Sequence, residues 1–137
     1  ATPYASLLIA AEERIAGLFA RLHVTFLRAQ LARLRDDYAE FTARQTEILA
    51  IGPDGPRAFQ RYWQENNIPY VGLPDPKHNI ADLYKQQVNL LKLGRLPAAM
   101  ILDKEGNLRY QHYGDSMADI PDNKLLFLIL DKINKAE

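Results

Sequence analysis

The stretch LPAAMILDKEGNLRYQHYG, residues 96–114, decides the fold. AAMILD is a continuous apolar run that is typical of a buried central strand, and LRYQHY alternates as a returning strand does. Between them, KEGN predicts a tight turn in which Gly106 supplies a positive φ. We therefore predict a β-hairpin, followed by a last helix from near Pro121 to Lys135. Its predicted inward residues are Leu125, Leu126, Ile129, Leu130 and Ile133.

The chain before the hairpin alternates between helical and extended patterns. An apolar stripe spaced by three and four residues predicts a helix from Leu27 through about Arg44, and this is the strongest helical pattern in the chain. EILAIGPD, residues 47–54, predicts a buried strand that enters a loop, because glycine and proline close a short apolar run. The helical stripe consists of Leu27, Leu31, Leu34, Tyr38 and Phe41.

Two further helices and one strand complete the pattern. PRAFQRYWQENN predicts a helix over 56–67, and IPYVGL predicts a strand over 68–73. Residues 79–93 show another helical face, which Gly94 can end in a left-handed cap. Strands joined through helices pair in parallel, and a hairpin adds an antiparallel strand. We therefore predict an α/β fold of three layers with a mixed sheet.

Length and charge narrow the class of protein. A chain of 137 residues fits one domain, 1–137, with a sizeable core. It carries 17 basic and 17 acidic residues, so no net field draws it to nucleic acid or to an anionic membrane. We expect no nucleic-acid partner and no membrane association.

The chain contains no cysteine. This absence removes disulfides, thiolate metal sites and every mechanism that uses a sulfur nucleophile. The histidines His23, His78 and His112 follow no metal-binding spacing, and His112 on the returning strand is expected to serve sheet packing. Aspartates near turns, among them Asp75 and Asp119, are expected to cap helices and turns. We therefore expect no metal and no cofactor.

Residues 5–22 carry a helical pattern of their own. Within it, SLLIAA is short, lacks a preceding basic segment and is followed at once by Glu12 and Glu13, so it resembles neither a signal peptide nor a membrane span. We expect a soluble, cytoplasmic protein. A start at Ala1 without methionine is compatible with processing or with an edited sequence.

From Leu27 onward the chain resembles a known family over about four fifths of its length. It is similar to the peroxiredoxin-like group of the thioredoxin superfamily, which includes alkyl hydroperoxide reductases and thiol-specific antioxidant (AhpC/TSA) proteins. The resemblance implies a thioredoxin-like fold and thiol-dependent reduction of peroxides or disulfides, with electrons from a thioredoxin-like or glutathione donor. The segments that carry it are RAQLARLRDDYAEF, EILAIGPD, GLPDPKHNIADLY, LPAAMILDKEGNLRYQHYG and DSMADIPDN.

Members with a two-cysteine site carry CPFC directly before the first helix of this pattern, where backbone N–H groups and the helix dipole stabilise a thiolate. On this sequence CPFC falls on VTFL. Val24 and Leu27 therefore occupy the catalytic cysteine positions, with Thr25 and Phe26 between them. Neither Val24 nor Leu27 can act as a nucleophile, and nothing in the sequence supplies Thr25 with an adjacent base. The resemblance thus predicts a chain that is inactive as a thiol peroxidase.

The resemblance also implies a binding groove before the hairpin. Pro97 matches a cis-proline that faces the active-site turn in thioredoxin-fold proteins and leaves backbone groups free to pair with a peptide. The alternative is an ordinary proline at the first residue of a strand. Arg95 either places a guanidinium near the groove or is a solvated loop residue. The predicted substrate-binding set is Thr25, Phe26, Arg95, Leu96 and Pro97.

The first 26 residues are atypical, because the family has a hairpin and a strand before its active-site turn. AGLFARL, residues 16–22, can form that strand or can continue the helical pattern. With a helix there, the sheet lacks a strand beside residues 47–51, and an open edge favours dimerisation. Either the site decayed naturally, or the N-terminal sequence is altered or incomplete. The function hypotheses are an inactive peroxiredoxin-like protein and a non-catalytic module that binds a peptide or forms a homodimer.

Overall fold

The computed structural model describes residues 5–10, 28–52, 54–77, 79, 88–89, 94–95, 98–116 and 118–136. The strands in these ranges are β1 (Ala5–Ala10), β2 (Thr46–Gly52), β3 (Val71–Pro74), β4 (Val88–Asn89), β5 (Gly94–Arg95), β6 (Ala98–Asp103) and β7 (Leu108–Tyr113). The helical segments of six or more described residues are α1 (28–36), α2 (Tyr38–Ala43), α3 (Pro56–Glu65) and α4 (Asn123–Ala136).

One mixed sheet has the strand order β3-β2-β1-β6-β7. β2 pairs in parallel with β1 and with β3, whereas β6 is antiparallel to both β1 and β7. Along the chain, α1 and α2 lie between β1 and β2, and α3 lies between β2 and β3. The predicted α/β fold with a mixed sheet and a closing hairpin is therefore confirmed.

The central strand of the sheet is formed by the first described residues. β1 lies between β2 and β6, with Ala10 opposite Ile51 on one side and opposite Ala98 on the other. The helical prediction for residues 5–22 is therefore wrong over Ala5–Ala10.

The open sheet edge that we expected beside residues 47–51 in the helical alternative does not occur, because β1 pairs with β2 there. A continuous apolar run such as SLLIAA satisfies the pattern of a buried strand as well as that of a helix. Pairing on both sides gives its backbone N–H and C=O groups partners that a local pattern does not reveal. AGLFARL lies outside the described residues, so its two alternatives stay predictions.

The core lies between the sheet and the described helices. Ile48 and Ala50 of β2 and Ile101 of β6 point into it. Ile51 and Met100 alternate to the opposite face, where they are also buried. Both faces of the sheet are thus covered, as a three-layer fold requires. The helices contribute Leu31, Leu34, Phe41, Leu126, Leu130 and Ile133 to the core.

The helix predicted from Leu27 through about Arg44 is confirmed from residue 28 onward, with one break. The chain is helical over α1, turns at Asp37 and is helical again over α2. Arg44 caps α2 and ties it to α4, because its Nε donates to Asp131 Oδ1 at 3.0 Å and its guanidinium lies 4.4 Å from the centre of the Phe127 ring. The buried stripe residues are Leu31, Leu34 and Phe41.

The last helix packs one narrow face against the core. Leu126, Leu130 and Ile133 are buried as predicted, and Ile129 is partly buried. The inward prediction for Leu125 is wrong, because its side chain is 43% exposed. Leu125 lies one residue, and thus about 100° of helix rotation, away from Leu126. The core reaches only the face that carries Leu126.

The helix predicted over residues 79–93 is wrong at its C-terminal end. Val88–Asn89 form β4, which pairs antiparallel with Gly94–Arg95 in a separate two-stranded sheet. Gly94 is therefore a strand residue here rather than a helix cap. Residues 80–87 and 90–93 lie outside the described residues, so the rest of this helix stays a prediction.

The hairpin is confirmed, and one buried carboxylate organises its turn. Gly106 has a φ of +85°, as predicted. Asp103 at the end of β6 accepts hydrogen bonds from the backbone N–H groups of Glu105 at 3.0 Å and of Asn107 at 2.8 Å. Its other oxygen accepts from the Asn107 amide at 3.2 Å and from Arg109 Nη1 at 3.3 Å. The carboxylate thereby holds the turn and the start of β7 together.

Helix α3 covers the edge strand β3. It begins with Pro56 in its first turn, as predicted. The strand predicted over 68–73 begins only at Val71. Phe59 and Trp63 stack with ring centroids 4.3 Å apart, directly over Gly72. A side chain at Gly72 would overlap both rings.

We expect Asp103→Asn to destabilise the protein most at neutral pH. Burial alone raises the pKa of Asp103, but the hydrogen bonds from Asn107, Arg109 and Glu105 outweigh it and hold the pKa below its ordinary 3.8. The carboxylate therefore contributes stability above pH 3.8, and this contribution is lost as the pH falls through the folded-state pKa. Urea unfolding from neutral pH to below pH 3.8 measures the free energy of unfolding of parent and variant. The gap between the two values should close in acid. Asp54→Asn, at an exposed loop residue, is the control. A gap that does not change with pH would contradict this role.

We expect Gly72→Ala to destabilise the protein by about 1–3 kcal/mol, because a methyl group there displaces two stacked rings. Gly55→Ala is the matched control, since no atom lies within 4 Å of its added carbon. At Gly55 the loss of a favourable cap and the gain in chain stiffness oppose each other, so we expect a change of less than about 0.5 kcal/mol. Chemical denaturation measures both values. Equal effects at the two glycines would contradict the packing argument.

Candidate functional site at the carboxyl edge of the sheet

The carboxyl ends of the parallel strands meet at one edge of the sheet, which we call the carboxyl edge. β1 ends there at Ala10, β2 at Gly52 and β3 at Pro74. β6 begins at the same edge, because Ala98 pairs with both Ala10 and Tyr113. In open α/β sheets, ligands bind beyond the carboxyl ends of the strands. The carboxyl edge is therefore the candidate site.

One predicted site residue, Arg95, lies in the described part of the chain. Its backbone pairs with Val88 in the β4–β5 ribbon. The chain leaves β1 at Ala10 and enters β6 at Ala98, so the segments that carry the other predicted residues start or end at the carboxyl edge. Their roles and the cis form of the proline stay predictions. The residues outside the described ranges are Val24, Thr25, Phe26, Leu27, Leu96 and Pro97.

The structure places a histidine–carboxylate pair near this edge that the sequence patterns did not predict. His112 Nε2 lies 2.9 Å from Asp119 Oδ1, and the backbone N–H of Asp115 donates to Asp119 Oδ2 at 2.7 Å. The sequence patterns assign His112 to sheet packing and Asp119 to capping. A bend at Asp115 and Ser116 brings these residues together from seven positions apart, which no fixed motif spacing signals.

The His112–Asp119 pair has a structural role, and the described residues do not make it a catalytic triad. A carboxylate fixes the orientation of an imidazole, as in catalytic triads, but a triad also needs a nucleophile on the other ring nitrogen. Among the described residues, none hydrogen-bonds to His112 Nδ1. Burial raises the pKa of Tyr110, and the nearby charge of Asp119 raises it further. The contact between His112 and Asp119 ties the end of β7 to the segment that follows it.

A second carboxylate, Asp75, is buried where β3 ends. Its backbone N–H donates to the Gly52 carbonyl at 2.7 Å, which extends the pairing between β2 and β3 by one residue. Within the described ranges, no three histidine or acidic side chains are grouped closely enough to hold a metal ion.

Helix α1, which follows the predicted active-site turn, is anchored by aromatic residues. The buried hydroxyl of Tyr70 donates to the Leu31 carbonyl at 2.8 Å, and Trp63 Nε1 donates to the Tyr70 carbonyl at 2.8 Å. Burial raises the pKa of Tyr70, so this phenol is a neutral donor at physiological pH. Arg35 adds a hydrogen bond from Nη1 to the Asn66 carbonyl at 3.0 Å. These bonds tie the described part of α1 to the segment between α3 and β3.

Strand order, crossover helices, closing hairpin and anchored helix together define a thioredoxin-like domain. In this class a thiol at the start of the first helix does the chemistry, and this chain has no thiol. The chain belongs to the AhpC/TSA family, because the family model matches residues 18–111, more than half of its length. Members of this family reduce peroxides through thiols.

Sequence comparison identifies a bacterial relative. Peroxiredoxin Bcp of Bacillus subtilis (strain 168) is 28% identical over 79 residues, which cover 54% of this chain and 50% of that protein. The chain thus spans about half the length of the curated relative that it matches.

Solved structures of peroxiredoxins share the fold. The mitochondrial 2-Cys peroxiredoxin of Plasmodium falciparum superimposes with a TM-score of 0.74 at 17% identity, over 95% of this chain and 75% of that one. Peroxidoxin BcpB of Mycobacterium tuberculosis gives a TM-score of 0.71 at 14% identity, over 99% and 82%. Within the described ranges, no helix is long and apolar enough to cross a bilayer.

Proposed function

We propose that this chain is a non-catalytic member of the AhpC/TSA family that acts by self-association. The observation that carries the proposal is the absence of cysteine from all 137 residues of a chain that keeps the family fold. Peroxide reduction in this family needs a thiolate to attack the O–O bond, and valine or leucine side chains have no lone pair to do so. We assign Val24 and Leu27 to the former cysteine positions.

The first test measures hydrogen peroxide consumption with dithiothreitol. We expect the chain to consume peroxide no faster than buffer does. Val24→Cys restores one thiol at the proposed position, and Leu128→Cys places a matched thiol on an exposed residue of α4. Because a helix N-terminus lowers a thiol pKa and raises the thiolate fraction at neutral pH, we expect Val24→Cys to react roughly tenfold faster than Leu128→Cys.

Two outcomes would contradict this part of the proposal. Peroxide consumption by the cysteine-free chain would show chemistry that does not need sulfur. Equal rates for the two thiol variants would remove Val24 from the proposed catalytic position.

Self-association is proposed at the β7 edge of the sheet. Of the two edge strands of the sheet as far as the chain is described, β3 has four residues and ends at Pro74, which has no N–H to donate. β7 has six residues, and Leu108, Arg109 and Gln111 on it are exposed. Two antiparallel copies of one edge strand pair about a two-fold axis, which closes the assembly as a dimer.

The second test is the molar mass in solution by light scattering. We expect about twice the chain mass of 15.6 kDa. Leu108→Lys with Gln111→Lys brings like charges together at the proposed dimer interface. We therefore expect the dissociation constant of the dimer to increase at least about tenfold. Leu125→Lys with Leu128→Lys adds the same charge to the exposed face of α4 and should leave the mass unchanged. A monomeric parent, or a dimer that only the α4 variant dissociates, would contradict the assignment.

The peptide groove at Leu96 and Pro97 stays a prediction, because both residues lie outside the described ranges. The described strand beside it limits how a peptide could bind. The strand that begins directly after Pro97 is paired on both sides, with Ala10 and with Tyr113 opposite Ala98. β6 therefore has no free edge at which a peptide can add a strand. Ala98 is also 5% exposed, so a bulky charge there would disrupt the core rather than probe a groove.

A further inference from the structure

An arginine stacked on a tyrosine joins α1 to α3 at the protein surface. The guanidinium carbon of Arg28 lies 5.2 Å from the centroid of the Tyr62 ring. In a cation–π contact of this kind the charged group lies over the ring, and the N–H donors of a guanidinium can still bind other partners. The side chain of Arg28 is exposed, so these donors face solvent in an orientation that the ring restrains.

Arg28 differs from the other arginines that contact neighbouring elements. Arg35 donates to Asp36 and to the Asn66 carbonyl, and Arg44 donates to Asp131. Across the described residues, Arg28 has no carboxylate or carbonyl partner. Within the described part of the chain, its charge therefore meets an aromatic ring and no carboxylate.

The Tyr62 hydroxyl is the second donor of this surface. It makes no hydrogen bond within the described structure. Burial raises the pKa of Tyr62, while the positive charges of Arg28 and Arg35 both act to lower it. The phenol is thus a neutral donor close to two guanidinium groups. Asp36 offsets the charge of Arg35, whereas no described carboxylate lies against Arg28.

We propose that Arg28 and Tyr62 form a binding site for a phosphate-type oxoanion, either free or as a phosphate monoester. The guanidinium offers paired N–H donors that match two oxygens of a phosphate group, and the phenol offers a third donor from α3. Because the Tyr62 ring restrains the guanidinium before the anion arrives, binding loses less side-chain freedom than at an unrestrained surface arginine. This site does not depend on the proposed self-association.

The test is a titration with inorganic phosphate at constant ionic strength, with sodium chloride as the balancing salt. Trp63 is the single tryptophan, and its ring centroid lies 6.2 Å from that of Tyr62, so its fluorescence reports on the site. We expect a saturable change with phosphate and none with chloride. A phosphate monoester such as glycerol phosphate, titrated in parallel, distinguishes the two sources of the group by its relative affinity.

Four variants separate the site from general surface charge. We expect Arg28→Gln to weaken binding at least tenfold, and Arg28→Lys to weaken it by a smaller factor because lysine keeps the charge but lacks the planar donor pair. Tyr62→Phe keeps the stacked ring and loses the third donor, so we expect a loss of about threefold to tenfold. Arg33→Gln removes an exposed arginine of the same helix that stacks on no ring among the described residues, and should leave the affinity unchanged.

Equal losses for Arg28→Gln and Arg33→Gln would reduce the effect to surface charge and overturn the proposal. So would a response to phosphate that does not saturate, or one that chloride reproduces. Each variant is first compared with the parent by urea unfolding. Binding that is lost in a fully folded Arg28→Gln variant, weakened less in Arg28→Lys and kept in Arg33→Gln would support the site.

Discussion

The rest of this fold depends on the pairing of β1 on both of its sides. β1 joins the parallel half of the sheet, β2 and β3, to the antiparallel hairpin of β6 and β7. Without it, the edges of β2 and β6 would lie open in the middle of the protein, and each backbone group left without a partner there would cost on the order of 1–3 kcal/mol. The core under the helices uses side chains from both halves, so its formation also requires this strand.

The sequence predicted the closing hairpin and the start of α3 well, because the patterns of these elements are local. The hairpin turn needs a residue with positive φ, and Gly106 supplies it. The helix α3 begins at a proline, which fixes the first φ of a helix without losing a hydrogen bond. The errors arose where long-range strand pairing decides whether a segment is a strand or a helix. SLLIAA fits a strand or a helix equally well by pattern, and Val88 lies in a helical stripe yet pairs with Arg95.

The site was less predictable than the fold. Resemblance to the family placed the former thiol positions, but it carried no information about contacts that this chain makes for itself. The His112–Asp119 contact and the stacking of Arg28 on Tyr62 each join residues from separate segments, at distances along the chain that differ from any known motif. Only the tertiary arrangement brings such pairs together.

The position of β1 also has a consequence for the order of folding. β1 precedes the other described strands, yet its partner β6 follows about 90 residues later in the chain. During synthesis β2 therefore becomes available to β1 well before β6 does, and the second edge of β1 has no partner until residues 98–103 have been made. An unpaired strand edge favours aggregation of partly folded chains, and contacts of such a large sequence separation slow folding. The strand that completes the sheet is thus also the one that makes its assembly slow.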